Sequence, residues 1–552
     1  MPLTLVTGGL SDDRLQSPAH GKYSPGMSAA LHELPPDYDV VIIGGALSGA
    51  ATAILLLRKN PGIRILIVDK SEKLGRRVGE ATVEVSGYFL GRVLGLTQYL
   101  NEHHLAKQGL RFWFANQRVE KLDEASEIGP RYLARLPSYQ LDRAALDEEV
   151  LRRAGGDGAE VLRPASVANI KLVSGGMQEM EIRQNGSSRV MRARWIVDAS
   201  GLAAVIARKE GWWRPNEAHP TASAWARWRG VKDWDGRELA GKFPAWAAAQ
   251  YGIRGTATNH VIGDGWWSWW IPLKGGDVSV GVVFDQRLVD FPQDGGGVGE
   301  RLKTFLEGHP VARELLENAQ PIADDVHWRR NLAYYSNTFA GDGFALVGDA
   351  AAFMDPFYSP GMDWISFTAS RATDTITRQR AGEALDGILE KHNHDLAICH
   401  SRWFDALYRD KYHYIGEYDL LGLAFRLDLS LYYWGVVRHA FERGGESFLM
   451  PPFADPAAGF FAGLMRVYNR RFARIADRRR KLGLLGRMND RKRMLIPGFT
   501  LNRKETFKLL PLLGAWLKLE LREGWHTWWA EPMAAPRSEA DTGREGPIAE
   551  FK

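Results

Sequence analysis

The stretch YDVVIIGGALSGAATAILLLRKNPGIRILIVDK, Tyr38 to Lys70, restricts the fold more than any other part of the chain. Asp39 to Ile43 is an apolar, β-branched run, Ser48 to Leu57 opens with small residues at helical spacing, and Arg64 to Val68 is apolar again, so the segment predicts strand, turn, helix, strand. Gly44 lets the chain turn sharply, and Gly49 lets the helix pack close to the sheet. Backbone donors from Ala46 to Ser48 would face a pyrophosphate, and Asp69, followed by Lys70, can accept from a ribose about twenty residues on. The pattern departs from G-x-G-x-x-G at its middle position, where the Ala46 methyl narrows the approach of the phosphates. Such a unit belongs to an α/β fold with a parallel sheet and a dinucleotide site.

The chain has 552 residues, room for two or three domains or for one elaborated enzyme fold, and 45% hydrophobic with 25% charged residues excludes wholesale disorder. Cys399 is the single cysteine. It rules out an internal disulfide framework and a cysteine-built zinc or iron-sulfur centre, and it fits a reducing cytoplasm. No metal site is expected: HNHD, His392 to Asp395, with His400, has no further ligand spacing. No run approaches the ~18 apolar residues of a membrane span, and residues 1–36 are expected to be a loosely ordered extension. Net charge is +5. Its basic excess sits between Arg470 and Arg493, either as a solvated helix face or as a docking surface for an acidic carrier protein or anionic lipid. Nucleic acid is not expected, because no aromatic residues interleave with these charges.

Three further segments bear on the cofactor. RWIVDASG ends at Gly201 after a buried strand, GFALVGDAAAFMDPFYSPGMDW places Gly348 and Asp349 between a strand and a helix start, and SYQLDRAALDEEV runs from Ser138 to Val150. In this order they resemble FAD-dependent monooxygenases. The resemblance implies an FAD-binding Rossmann-like domain of the glutathione-reductase type, with Asp349 on the flavin ribose and contacts from Gln140, Gly348, Pro356, Gly361 and Met362. DGGGVGE, Asp294 to Glu300, follows Phe-Pro rather than a strand and is expected to be a loop, so a second nucleotide site is missing. Ser200 stands where single-component hydroxylases usually carry an aspartate that helps handle NADPH. The resemblance therefore implies that a separate flavin reductase supplies FADH2.

Trp267-Ser268-Trp269-Trp270-Ile271-Pro272 fits W-x-W-x-I-P, and Phe353, Pro356, Ser359 and Gly361 complete F-x-x-P-x-x-S-x-G. As plain packing, the first motif is a strand with Trp267 and Trp269 on one face. Together the two motifs resemble the signatures of the flavin-dependent halogenases. GEATVE, Gly79 to Glu84, is similar to that family's flavin-contacting loop and assigns cofactor contacts to Glu80, Ala81 and Thr82, with Glu84 where proline is common. The resemblance implies that FADH2 and O2 form a flavin C4a-hydroperoxide, that chloride or bromide attacks it, and that the hypohalous acid travels to a lysine beside the substrate. In HLAKQGLRFWF that lysine is Lys107, on a helix that would also carry His103 and His104, and Ser359 is counted with it as catalytic. Trp267 and Trp269, with Ile271, Pro272, Phe353, Pro356, Tyr358 and Gly361, are the implied barrier and tunnel residues. Tryptophan halogenases carry a glutamate where this chain has Tyr358. That departure favours the phenol- or pyrrole-directed branch, whose electron-rich arene arrives free or bound to an acyl or peptidyl carrier protein.

The motif order predicts an FAD module at 37–375 assembled from pieces near 37–80, 135–210 and 335–375. Residues 81–134 and 211–334 would form a sheet-rich substrate region, 376–535 a helical C-terminal region and 536–552 a disordered tail. Near the end, ETFKLLPLLGAWLKLELREGWHTWWA has the pattern of an amphipathic helix, packed on the body or touching a membrane. A flavin monooxygenase or reductase on the same scaffold, and a chemically silent flavin-binding scaffold protein, are the competing functions.

Overall fold

The computed structural model describes residues 37–250, 252–498, 500–502 and 507–529. The expected extension at 1–36 and tail at 536–552 lie outside the described residues.

The first sheet grows from Tyr38–Ile43. This strand pairs in parallel with Ile65–Val68 on one side and Ser187–Asp198 on the other, and the parallel run continues to Glu160–Leu162 and Phe344–Leu346. Val40 to Ile42 are fully buried, as an unbroken apolar run in a parallel sheet requires. Leu47–Lys59 packs against Arg143–Gly156 and Gly361–Arg380. Two glycines set the spacing. Gly44 has φ +101°, and a Cβ on Gly49 would stand 1.9 Å from the Gly44 carbonyl oxygen.

The second sheet has eight strands, in the order Gln320–Arg329, Thr221–Arg229, Val278–Asp285, Trp266–Pro272, Thr258–Gly263, Leu110–Phe114, Ser126–Pro130 and Arg493–Ile496. Trp266–Pro272 is an interior strand, so its side chains alternate between two packed layers. Trp267, Trp269 and Ile271 enter the large core shared with the first sheet, whereas Trp270 enters a separate core with Trp113, Trp228, Trp234 and Trp246. Crowding of indoles here reflects a strand buried on both faces. In the second core the Arg254 guanidinium lies 3.8 Å from the Trp246 ring centroid, a buried cation–π contact, and pairs with Glu127.

Beyond the glycine-aspartate segment the chain is mostly helical, with Gly361–Arg380, Leu385–Leu407, Tyr418–Tyr432, Ala458–Lys481 and Leu509–Arg522 as the long elements, but the region expected to be helical, 376–535, also returns Arg493–Ile496 to pair with Ser126–Pro130. Against the expectation that no run approaches a membrane span, one helical run among the described residues, Tyr418–Leu449, is long and apolar enough to cross a membrane. Its most apolar window is 61% buried inside the protein, the condition of a core helix. Of the expected loop Asp294 to Glu300, Asp294 to Gly297 is a loop, but Val298 to Glu300 already form the first turn of the helix Val298–Glu307.

Gly49→Ala should destabilise the protein by about 1–3 kcal/mol, because a methyl there forces the helix off the turn. Gly241→Ala, whose Cβ meets nothing within 4 Å, should be neutral in the same denaturant titration.

Candidate active site

Two helix starts converge from opposite ends of the motif order. Leu47–Lys59 begins at Ala46 with no side-chain cap, and Gly361–Arg380 begins at Pro360 with none either, so the first-turn donors of both helices are left for another acceptor. Gly348, at φ +59°, brings the late segment against the early one: a Cβ there would lie 3.1 Å from the Ser48 Cβ. Asp69 is buried and accepts from the Gly45 amide at 2.7 Å and the Ser71 amide at 2.8 Å, which fixes its carboxylate at the end of the second strand. Lys70 beside it is exposed. Asp349 is half-buried and makes no hydrogen bond from its carboxylate to the described residues. Burial raises its pKa, while Arg143, Arg329 and Arg77 pull it down. A Cβ on Gly361 would meet nothing within 4 Å, and Met362 beside it is buried. Open helix starts, a closely approached turn and an unengaged carboxylate between arginines fit an adenine dinucleotide with a flavin end, as FAD requires.

The 79–84 loop is clamped to Tyr139–Gln140. Thr82 donates its amide to the Tyr139 carbonyl at 2.9 Å and receives the Tyr139 amide on Oγ1 at 2.7 Å, and Ala81 bridges Gln140. The Gln140 amide is itself engaged, its oxygen accepting from Thr258 Oγ1 at 3.0 Å. Glu80 is buried in an ion pair with Arg227 at 2.8 Å. Leu105–Ala106 pairs with the other edge of Tyr139–Gln140, and the Lys107 amide donates to the Ser138 carbonyl at 2.8 Å. Lys107 therefore follows a short strand. The expected helix ends at His103, so Lys107 does not share a helix with the two histidines.

Lys107 is 2% exposed and its Nζ donates to the Thr82 carbonyl at 2.6 Å. It lines a cavity of about 1160 Å³ whose wall also includes Thr82, Glu84, Tyr358, Asp363 and Tyr432. Burial lowers the Lys107 pKa to about 8 against the opposing pull of Glu84 and Asp363. Asp363 is also buried, and its pKa is pushed up to about 7 by burial, with Ser86 acting to lower it and Glu84 to raise it. Tyr432 donates to its Oδ2 at 3.3 Å. Behind Lys107 lies His260, driven down to about 3 by burial and by the lysine, so it is a neutral ring stacked on Phe112.

The two tryptophan- and phenylalanine-led motifs are joined by hydrogen bonds. Trp267 Nε1 donates to Tyr412 Oη at 2.8 Å, and Tyr412 donates to Asp355 Oδ2 at 2.9 Å, within the second motif. Asp355 also meets His219 at 2.7 Å and accepts the Phe357 amide at 2.8 Å. Just beyond it, Tyr358 and Ser359 have φ of +69° and +58°. A bulky residue rarely holds that conformation, so the surrounding packing imposes it. The Tyr358 hydroxyl reaches Asp428 at 3.2 Å; Asp428 pairs with the fully buried Lys411 at 2.8 Å and accepts from Tyr468.

Of the expected tunnel residues, Tyr358 lines the cavity. Trp267, Trp269, Ile271, Pro272, Phe353, Pro356 and Gly361 do not, and neither does Ser359, which lies between the lining residues Tyr358 and Pro360. Trp267 stands one layer behind: its ring packs on Phe357, 5.1 Å between centroids, and Phe357 on Tyr358 at 4.2 Å. His103 is exposed, and His104 is buried with its Nδ1 accepting the Asp142 amide at 3.2 Å, so neither faces the cavity. Part of the basic segment is paired with acids of the same chain, although of its cations only Arg479 is buried. Arg471 pairs with Glu520, Arg479 with Glu417, Asp419 and Glu523, Arg480 with Asp264 and Asp477, and Arg493 with Glu127. Among the described residues no group of His, Cys, Asp or Glu could hold a metal ion. Asp363, Asp428 and His260 were missed in the sequence; Asp363 alone carried a signal, two residues past the second motif.

Comparison with known proteins follows the same lines. Residues 39–260 match the model of the FAD dependent oxidoreductase family. The chain is 26% identical over 456 residues to the flavin-dependent halogenase chlA of Dictyostelium discoideum, covering 76% of this chain and 72% of that one. It is 28% identical over 375 residues to the sulochrin halogenase gedL of Aspergillus terreus, covering 63% of this chain and 65% of that one. The crystal structure of halogenase PltM in complex with phloroglucinol and FAD superposes with a TM-score of 0.68 at 18% identity, over 87% of this chain and 96% of that one, and shares the fold.

Asp428→Ala would strand the Lys411 ammonium without its carboxylate, and the loss should be about 3–5 kcal/mol in a chemical denaturation series.

Proposed function

The chain belongs to the flavin-dependent halogenases, and we propose that it halogenates an electron-rich arene of the phenol or pyrrole type held in the cavity against Lys107. The observation that carries this reading is the buried ammonium of Lys107 on the wall of a large cavity, hydrogen-bonded at 2.6 Å to the loop whose resemblance to the family implies flavin contact. Bound FAD, once reduced, supplies the two electrons that make dioxygen reactive toward chloride or bromide. We assign the supply of reduced flavin to a separate reductase and the activity to the cytoplasm.

In this reading the chain's residues divide the work. Ala46 to Gly49, Asp69, Gly348 and Asp349 hold the cofactor, and Glu80 to Thr82 with Gln140 shape its inner edge. Lys107 donates an N–H to hypohalous acid and orients its halogen toward the ring. With Nζ already on the Thr82 carbonyl, two donors remain for the oxidant. Glu84 and Asp363 keep that nitrogen charged and can take the proton the arene releases. Trp267, supported by Tyr412 and Asp355, stiffens the Phe357–Tyr358 wall, which keeps the arene apart from the cofactor. Tyr358 in place of a glutamate supports a phenol or pyrrole over free tryptophan, since such rings already donate density to the attacked carbon. A carrier-bound arene fits the same cavity, whose volume exceeds that of a single small ring.

Purified protein given FAD, a flavin reductase, NADH, oxygen and bromide should halogenate a phenol probe, either free or tethered to a carrier protein, as read by mass spectrometry. Lys107→Ala should lose about 100-fold or more in halogenated product while keeping its FAD, the scale of a lost proton-transfer or donor group. Hydroxylated product would favour a monooxygenase, and bound flavin without turnover a scaffold.

Activity should also fall as pH rises through about 8, because Lys107 there loses the proton it donates. Asp363→Asn removes a charge that raises the Lys107 pKa, so this basic limb should move to lower pH, measured as a pH profile of kcat/KM.

A further inference from the structure

The helix Leu509–Arg522 lies with its acids turned inward. Glu520 is buried, pairs with Arg471 at 2.8 Å and accepts from the indoles of Trp516 and Trp528 at 3.1 and 3.2 Å. Glu523, directly after the helix, is buried against Arg479 at 2.9 Å and pairs with Arg487. Leu512 and Leu519 on the inner face are buried in the core, whereas Leu510, Leu517 and Leu521 face outward, 63%, 60% and 66% exposed. Their spacing aligns them in one stripe along the helix. Trp525, Trp528 and Trp529 extend the exposed apolar surface beyond it, and Phe507 precedes it.

Single exposed leucines are ordinary, but a continuous stripe of this length marks contact with an apolar phase or partner. Charge selects among them. Lys518 and Arg522 are exposed and each follows a leucine of the stripe; Arg522 also reaches Glu523, whereas Lys518 has no ion pair among the described residues. A two-fold contact with a second copy would set these cations against themselves. Residues 530–552, AEPMAAPRSEADTGREGPIAEFK, contain no apolar run able to pave the stripe. Leucine and tryptophan on one face with cations beside them suit the headgroup layer of an anionic bilayer. Pro497, Gly498 and Thr500, a few residues before this helix, line the cavity described above.

We propose that this face seats the enzyme on an anionic membrane surface, with the leucine stripe and Trp525, Trp528 and Trp529 entering the headgroup layer and Lys518 and Arg522 meeting acidic headgroups. The inference goes beyond halogenation and stands or falls independently of it. The test is co-sedimentation of the full-length protein with vesicles of phosphatidylcholine alone or mixed with phosphatidylglycerol. Wild type should bind the mixed vesicles, and binding should weaken with added salt. Leu517→Asp/Leu521→Asp should reduce binding about tenfold or more, and Lys518→Glu should weaken it, with FAD content and melting temperature unchanged in both. The proposal is overturned if wild type fails to bind the mixed vesicles, if pure phosphatidylcholine binds it equally well, or if the double variant binds like wild type. A concentration-dependent dimer in mass photometry that the double variant abolishes would assign the stripe to a second copy and overturn it as well.

Discussion

The candidate site is built around a desolvated cation, Lys107. Taking the Lys107 ammonium out of water is costly enough to bring its pKa to about 8, and what keeps it charged is a short hydrogen bond to a backbone carbonyl and the nearby carboxyl groups of Glu84 and Asp363. None of these partners is adjacent to it in sequence. Thr82 is held by Tyr139, Lys107 by Ser138, and Asp363 by the helix after the glycine-aspartate turn, so the cation is positioned where three backbone segments meet. Its low pKa and its place on the cavity wall have the same cause, which is burial.

A second constraint runs through the wall itself. Tyr358 and Ser359 occupy a left-handed conformation that costs of order 1–3 kcal/mol per residue. Asp355 holds the preceding turn through the Phe357 amide, and Tyr412 carries that restraint to the Trp267 indole. The two signature motifs, more than eighty residues apart, are one hydrogen-bonded unit. Because Phe357 separates Trp267 from Tyr358, the tryptophan acts by fixing the wall and the tyrosine forms its surface.

The C-terminal helices bear on the site through their charges. Asp428 reaches the Tyr358 hydroxyl while neutralising Lys411, and Arg479 draws Glu417, Asp419 and Glu523 together. Ion pairing within the chain takes up part of the basic excess between Arg470 and Arg493. With Glu520 and Glu523 recruited as partners and Leu512 and Leu519 in the core, Leu509–Arg522 is anchored on one face, and Leu510, Leu517 and Leu521 are left facing outward.

The parallel sheet, the dinucleotide turn and the alternating tryptophan strand were legible in the sequence, because each is written in residues that are neighbours along the chain and obey a local period or a local steric rule, whereas Lys107 was singled out only by its resemblance to a family motif. The buried neighbours of Lys107, the layer in which Trp267 stands, the pairing of the basic segment and the outward turn of the last helix were decided by the tertiary structure. Those features are set by which distant groups compete for the same buried space and the same opposite charge, and neither spacing nor composition encodes that competition.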